Sequence, residues 1–189
     1  MSESEQQLLE LLKDRAFQRG TFRLASGGTS DYYIDGKMVE VFSRSARLIG
    51  EVLYERTRDL DIDAIGGLEV GAVPLTAATV IAYDLHGRPM EGFWVRDEVK
   101  RHGTQKLIEG KLRPGDRVAL LDDVITRGTS TIKAYDAVVA LGCEVVLVAA
   151  LVDRLDGAAE RFRERGIVNY RPVFTIRDLG VNVDHPSAV

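Results

Sequence analysis

The stretch RVALLDDVITRGTS, residues 117–130, decides the fold and the candidate site of this chain. It begins with an apolar run, residues 118–121, which is typical of a buried strand. Asp122 and Asp123 follow the run, and the hydroxyl-rich turn at 126–130 opens a predicted helix. The N–H groups at a helix N-terminus, joined by hydroxyls, bind a monophosphate, and carboxylates accept hydrogen bonds from a diol or reach Mg²⁺. The stretch therefore predicts a site for a sugar phosphate.

Taken singly, these residues have ordinary structural explanations. Two aspartates after a strand are often solvated turn residues, and Thr129 alone is a plausible helix N-cap. The order of the whole pattern, a carboxylate pair, two aliphatic residues and Thr–x–Gly–Thr–Ser, favours a binding site. A Walker-type nucleotide loop is excluded because no Gly–Lys–Ser/Thr follows the glycine.

Apolar runs and helical stretches alternate along most of the chain. Residues 145–152 are apolar at every position, which is typical of a strand covered on both faces of a parallel sheet. The alternation predicts an α/β fold with a doubly wound, mainly parallel sheet of about five strands. The predicted elements are residues 62–67, 73–85, 92–95, 117–121, 129–141, 144–152, 158–165 and 172–176.

The first third of the chain is less regular. Apolar spacing predicts a helix over residues 3–19, and 21–35 suggests strand, turn and strand. Ser43 is a predicted N-cap for a helix that runs to about residue 58. We expect residues 1–42 to form a small cap over one end of the sheet.

Length and composition limit the remaining possibilities. The 189 residues predict a single domain, 1–189. A net charge of −4 argues against a nucleic-acid partner, and the longest apolar run is too short for a membrane span. The acidic N-terminus argues against a secretory signal, and the single Cys143 fits a reducing, cytoplasmic location.

Two further segments are candidates for anion binding. GGLEVGAVP, residues 66–74, is a glycine-rich junction between a predicted strand and a helix, although tight packing explains such a turn equally well. Residues 95–110 lack periodicity and concentrate cations, which favours a lid over a solvated charge run. Those cations are Arg96, Lys100, Arg101, His102 and Lys106.

These motifs resemble those of a known family. LLDDVITRGTS is similar to the signature with which type I phosphoribosyltransferases bind 5-phosphoribosyl 1-diphosphate (PRPP). The lid pattern at 96–110, FRLASGGTSDYYID and VDRLDG resemble the orotate phosphoribosyltransferases in particular, over about residues 8–183. The resemblance implies the type I phosphoribosyltransferase fold and transfer of the phosphoribosyl group from PRPP to orotate.

The resemblance also implies roles for particular residues. The implied catalytic residues are Lys100, His102, Asp122 and Asp123. The implied PRPP-binding residues are Glu69, Val70, Arg96, Lys100, His102, Asp122, Asp123, Val124, Ile125, Thr126, Arg127, Gly128, Thr129 and Ser130. The implied orotate-binding residues are Tyr33, Thr126 and Arg154.

The family's cofactor and assembly complete these expectations. Mg²⁺ would be held through the substrate's diphosphate and ribose hydroxyls, with Asp122 and Asp123 as candidate ligands. The protein would be a homodimer whose lid, residues 96–110, acts in the neighbouring subunit's site. The family also implies a cis peptide bond, which we expect between Leu68 and Glu69.

Three positions depart from the family pattern. Ala25 and Gly28 stand where basic residues are common, and Asp97 replaces the lysine that usually follows the lid arginine. A carboxylate beside a diphosphate is repulsive, and Lys37 could compensate for one lost cation. Two alternatives therefore stay open: an enzyme of this fold that uses another nucleobase, and a PRPP-sensing regulator that binds nucleic acid. The second should carry a basic face or a winged-helix segment, and neither is visible in the sequence.

Overall fold

A computed structural model of the chain describes residues 1–23, 28–98 and 106–183. The helices are α1 (Glu3–Leu11), α2 (Lys37–Glu40), α3 (Ser43–Thr57), α4 (Ala72–Leu85), α5 (Thr129–Ala140) and α6 (Ala158–Glu164). The strands are β1 (Phe17–Arg23), β2 (Thr29–Ile34), β3 (Ala64–Leu68), β4 (Glu91–Val95), β5 (Ile108–Gly110), β6 (Arg117–Ile125), β7 (Glu144–Asp153) and β8 (Tyr170–Thr175).

The central sheet has the order β5-β4-β3-β6-β7-β8. All neighbours run parallel except β5, which is antiparallel to β4 at the edge. The expectation of a mainly parallel doubly wound sheet is confirmed, with six strands instead of about five. The extra strand lies in the segment predicted to be irregular, because three residues at its end pair with β4.

Side chains on the two faces of the sheet form two separate cores. On β6, Ala119 and Leu121 pack with α3 and α4, whereas Val118 and Leu120 pack on the opposite face with α5 and α6. This alternation follows from the two-residue period of a strand. It explains why the central strands are apolar at consecutive positions.

The N-terminal segment differs from the prediction in two ways. The α-helix ends at Leu11 and a π-helical turn, Leu12–Ala16, follows it, so the predicted helix over 3–19 is too long. Strand β1 replaces its end because Phe17 pairs with Ile34 in a two-stranded antiparallel hairpin with β2. The two predicted strands are confirmed, and residues 24–27 between them lie outside the described residues. Ser43 is the first residue of α3 and not its cap.

No helix within the three described ranges is long and apolar enough to cross a membrane.

The short helix α2 buries an acidic side chain. Glu40, its last residue, is 4% exposed, and neither carboxyl oxygen receives a hydrogen bond from an N–H or hydroxyl donor among the described residues. Its neighbour is Asp123 of β6: a Cβ placed on Gly36 would lie 2.8 Å from an oxygen of each carboxyl group. Burial, and then the charge of Asp123, raise the pKa of Glu40 from 4.5 to about 8. At neutral pH Glu40 is therefore mostly protonated and can donate a hydrogen bond to Asp123.

This proton links the stability of the fold to pH. Between pH 4.5 and about 8 the folded chain holds a proton at Glu40 that the unfolded chain releases, so the free energy of unfolding decreases as pH rises, by at most about 1.4 kcal/mol per pH unit. Glu40→Gln fills the same space and cannot ionise. We expect its free energy of unfolding, relative to the wild type, to increase steadily from pH 5 to pH 8 in urea titrations.

The exposed Glu164 of α6 provides the matched control. Glu164→Gln should follow the wild-type pH dependence. Parallel curves for the wild type and Glu40→Gln would contradict a protonated Glu40.

Candidate functional site

The sheet topology determines where a ligand can bind. After β3 the chain continues to β4 on one side, whereas β6 lies on the other side of β3. At such a switch point the loops that leave the carboxyl ends of the two strands diverge and open a crevice. Here those loops are residues 69–71, before α4, and 126–128, before α5, so both predicted anion-binding junctions lie at this crevice.

The loop after β6 has the form of an anion-binding turn. Its polar side chains are exposed, while Gly128 between them is buried and has a φ of +70°. A Cβ at that residue would collide with the Phe162 ring of α6, and left-handed φ values favour glycine in any case. Gly128 is the N-cap of α5 and no side-chain hydrogen bond caps the helix, so the first N–H groups of α5 face the crevice. The exposed side chains are Thr126, Arg127, Thr129 and Ser130.

The sequence suggested that the two aspartates follow the strand, but they lie within β6. Asp122 pairs with Ala150 of β7, and the pairing continues to Ile125. The two side chains have different partners, Thr131 of α5 for Asp122 and Lys37 for Asp123, yet they also contact each other and their charges repel.

Asp122 faces α5. Thr131 of that helix donates a hydrogen bond of 2.6 Å to Asp122 Oδ2, and the N–H of Asp123 lies 3.1 Å from Oδ1. Burial raises the pKa of Asp122 to about 7, with a contribution from the neighbouring Asp123, and the Thr131 hydroxyl acts in the opposite direction. The sequence offered one signal for Thr131, since it extends the hydroxyl run Thr129–Ser130.

Asp123 is enclosed by glycines. Cβ atoms on Gly36 and Gly71 would lie 2.8 and 2.6 Å from its two carboxylate oxygens. Lys37 Nζ approaches Oδ2 at 3.9 Å, and the protonated Glu40 lies beside the same oxygen. The predicted compensating cation, Lys37, thus reaches this carboxylate, whereas Glu40, buried and remote in sequence, was missed.

The junction after β3 contains a cis peptide bond between Glu69 and Val70, one residue later than predicted. The Glu69 side chain pairs with Arg96, at 3.7 Å, and accepts a hydrogen bond from the N–H of Asp97 at 3.3 Å. Arg96 also binds Glu109 through Nε and Nη2, at 3.0 and 2.9 Å. The Arg96 cation therefore lies between two carboxylates at the base of the lid.

Asp97, the departure from the family pattern, also has a partner. Its carboxylate lies 2.6 Å from Nζ of Lys133, and the same ammonium group contacts the Asp97 backbone carbonyl. Lys133 projects from the second turn of α5. A lysine from the helix thus neutralises the added carboxylate.

The hairpin brings the predicted base-side residues to the same end of the sheet. The Arg154 guanidinium, 11% exposed, lies 4.8 Å from the centre of the Tyr32 ring and 3.3 Å from Asp156. Tyr33 points to the other face of the hairpin, is 43% exposed and packs on Phe22 with ring centres 5.5 Å apart. Arg154 therefore contacts Tyr32, whereas the sequence had indicated the next residue, Tyr33.

The described site residues occupy one end of the sheet, around the crevice, and the acids on β6 lie between the two loops. The side chain of Ile125 is buried, so a ligand could reach that residue only through its backbone. Lys100, His102 and Ala25 lie outside the described residues.

A divalent cation would have to be held largely by a ligand. The residues described contain no group of three His, Cys, Asp or Glu side chains placed to bind a metal. Asp122 and Asp123 lie side by side on β6, and two carboxylates alone supply too few ligands for a divalent cation. This arrangement fits a Mg²⁺ ion that arrives on a diphosphate and meets one carboxylate, directly or through water.

Comparison with known proteins places the chain in a family. None of the protein-family models compared with the chain matches it. The chain is 41% identical over 175 residues to an orotate phosphoribosyltransferase of Streptomyces avermitilis, with 93% of this chain and 96% of that protein covered.

Solved structures give the same result. The chain superimposes with a TM-score of 0.83 on Mycobacterium tuberculosis orotate phosphoribosyltransferase in complex with Fe(III) dicitrate, at 40% identity, covering 94% of this chain and 99% of that one. The complex of the M. tuberculosis protein with PRPP gives a TM-score of 0.78 at 37% identity, with the same coverage. Sequence identity over nearly the whole length, the common fold and the crevice at the switch point agree, and the chain belongs to the orotate phosphoribosyltransferase family.

Proposed function

We propose that this chain performs its family's reaction, transfer of the 5-phosphoribosyl group from PRPP to orotate, which gives orotidine 5′-monophosphate and diphosphate. One observation supports it most strongly. The turn at 126–130 and the two β6 carboxylates lie together at the switch point of a chain in this family. The products place the reaction in pyrimidine nucleotide synthesis.

The ribose phosphate would lie across the end of β6. The N–H groups and hydroxyls of residues 126–130 would bind the 5′-phosphate, because the start of α5 offers free donors and a positive dipole end. Asp122 and Asp123 would accept hydrogen bonds from the ribose hydroxyls. Val124 and Ile125 would contribute through the backbone.

The diphosphate would lie between the junction after β3 and the lid. Backbone groups of Glu69 and Val70 would approach it, and Lys100 and His102 would supply positive charge from the lid. Arg96 is already paired with Glu69 and Glu109, so it would reach the diphosphate only by exchanging one carboxylate for it.

The base would bind below the hairpin. The Arg154 guanidinium, largely buried, suits the orotate carboxylate because a carboxylate and a guanidinium match in charge and geometry. Tyr33 would flank the ring and Thr126 would contact the base. Orotate carries the carboxylate that uracil and the purines lack, so Arg154 would also select among bases.

The chemistry needs electrostatics and no covalent nucleophile. The bond from ribose C1′ to the diphosphate oxygen breaks, and a bond from C1′ to the orotate nitrogen forms, while the proton of that nitrogen passes to the departing diphosphate or to water. Positive charge develops on the ribosyl group, and the β6 carboxylates would stabilise it, while Lys100 and His102 would stabilise the negative charge on the departing diphosphate. Bound Mg²⁺ would supply further charge neutralisation on the diphosphate.

We also propose that the chain acts as a homodimer in which the lid, residues 96–110, completes the neighbouring subunit's site. Helix α4 exposes Ile81 and Leu85, one turn apart, at 60% and 73%. Adjacent exposed apolar side chains of this size indicate an interaction surface. We further propose one domain, 1–189, capped by residues 1–42, in a reducing cytoplasm that suits the free thiol of Cys143.

A panel of bases tests the proposed reaction. With PRPP and Mg²⁺, we expect orotate to be consumed, and uracil, adenine, guanine and hypoxanthine to react at least about a hundredfold more slowly, because none can pair a carboxylate with Arg154. Product formation would be followed by chromatography, with a chelator of Mg²⁺ as the control. Faster transfer to any other base, or no turnover with orotate, would contradict the proposal.

Mixing two inactive variants tests the shared site. Lys100→Ala removes a lid cation and Asp123→Asn removes a ribose contact, so each variant alone should lose at least about a hundredfold in turnover. If the lid serves the neighbouring subunit, half of the dimers in an equal mixture are heterodimers with one intact site. Activity should then recover to about a quarter of the wild-type value.

The mixture must first be exchanged, for example by mild denaturation and refolding, and each variant is treated alone as the control. No recovery in a mixture shown to contain heterodimers would mean that each lid serves its own subunit.

A further inference from the structure

Helix α6 contacts the phosphate loop with two consecutive residues. Nη1 of Arg161 donates hydrogen bonds to the backbone carbonyl of Arg127, at 2.7 Å, and to Oγ1 of Thr129, at 3.1 Å. The next residue, Phe162, is fully buried and its ring fills the space beneath Gly128. The contacts of Arg161 with this loop therefore span 32 and 34 positions of sequence, with β7 between the two elements.

The hydrogen bond to Thr129 decides what that hydroxyl can do. A threonine hydroxyl has one proton to donate and two lone pairs that accept. Because one lone pair accepts from Arg161, the hydroxyl proton is left to point into the crevice, towards an anion.

The hydrogen bond to Arg127 has a second effect. A carbonyl oxygen near a phosphate repels it, and the Arg161 guanidinium offsets that repulsion by donating a hydrogen bond to the Arg127 carbonyl. The guanidinium also adds a positive charge beside the loop. In the sequence Arg161 is one arginine of a charged run, ERFRER, and nothing distinguishes it from its neighbours.

The neighbouring arginines of α6 have other partners. Arg163 pairs with Glu160 on the same helix at 2.9 Å, with both side chains well exposed. Arg165, just after the helix, pairs with Asp136 of α5. Arg161 is thus the arginine of this run that reaches the phosphate loop within the described part of the chain.

We infer that Arg161 is a positioning residue for the 5′-phosphate, which orients the Thr129 hydroxyl as a donor and offsets the negative end of the Arg127 carbonyl. This inference rests on the proposed function, because the ligand is the phosphate of PRPP. It adds α6 to the site.

Steady-state kinetics separate this role from a merely structural one. We expect Arg161→Met to raise KM for PRPP about tenfold, the effect of losing one charge-assisted hydrogen bond. KM for orotate and kcat should change less than about threefold, since neither the base nor the reacting bonds touch α6. Arg161→Lys, which keeps the charge, should lie between the wild type and Arg161→Met, and Arg163→Met should match the wild type.

A double-mutant cycle tests whether Arg161 acts through Thr129. Thr129→Val removes the hydroxyl, so Arg161→Met should raise KM for PRPP much less in that background than in the wild type. Equal effects in both backgrounds would overturn the orienting role. An unchanged KM for PRPP in Arg161→Met, or a loss confined to kcat, would overturn the inference as a whole.

Binding of ribose 5-phosphate keeps this test separate from the test of the reaction. Titration calorimetry with ribose 5-phosphate needs neither a base nor turnover, and we expect about tenfold weaker binding to Arg161→Met than to the wild type or Arg163→Met. If Arg161→Met binds ribose 5-phosphate more weakly than the wild type, and the wild type does not turn over orotate, the role of Arg161 is supported and the proposed reaction is contradicted. If Arg161→Met and the wild type bind equally well, and the wild type turns over orotate, the reaction is supported and the role of Arg161 is contradicted.

Discussion

The enclosure of Asp123 by two glycines is the constraint on which the rest of the site depends. Gly36 precedes α2 and Gly71 precedes α4, and any Cβ at either position would press on a carboxylate oxygen of Asp123. The absence of side chains lets the hairpin region and the β3 junction close on β6 from two directions. One acid is thereby fixed where the two loops of the crevice meet, which is the place proposed for the ribose.

In an acidic protein that binds a strongly anionic substrate, cations that are paired with carboxylates contribute less to the attraction for that substrate. Within the described residues, Arg96 is paired with two glutamates and Lys133 with Asp97. Lys37 lies nearest to Asp123. The attraction for the 5′-phosphate would therefore come from the uncharged N–H groups and hydroxyls at the start of α5 and from the Arg127 and Arg161 guanidinium groups beside them. That is why the residues that orient these donors, Arg161 and Phe162, matter as much as the donors.

The sequence predicted the fold where the signal was local. The continuous apolar run of β7 indicated a strand buried on both faces, and the turn at 126–130 located the start of α5. It failed where partners distant in sequence decide the outcome. Strand β6 extends through Asp122 and Asp123 because β7 pairs with it there, and Phe17 leaves the first helix because it pairs with Ile34.

The same limit applies to the site. The carboxylates and the phosphate loop could be recognised from their order along the chain, since they are contiguous. Thr131, Glu40 and Arg161 act through contacts across 9, 83 and at least 32 residues, and no local pattern marks Glu40 or Arg161. For Asp97 the sequence indicated a problem that the structure removes. A carboxylate in the lid was expected to repel the diphosphate, but Lys133 neutralises it through an ion pair.

A crystal structure with orotidine 5′-monophosphate bound tests the central claim most directly. The account predicts the phosphate at the start of α5, within hydrogen-bond distance of backbone N–H groups of residues 126–130 and of the Thr129 hydroxyl, with the ribose hydroxyls facing Asp122 or Asp123. A phosphate bound at any other place, with this loop empty, would contradict it.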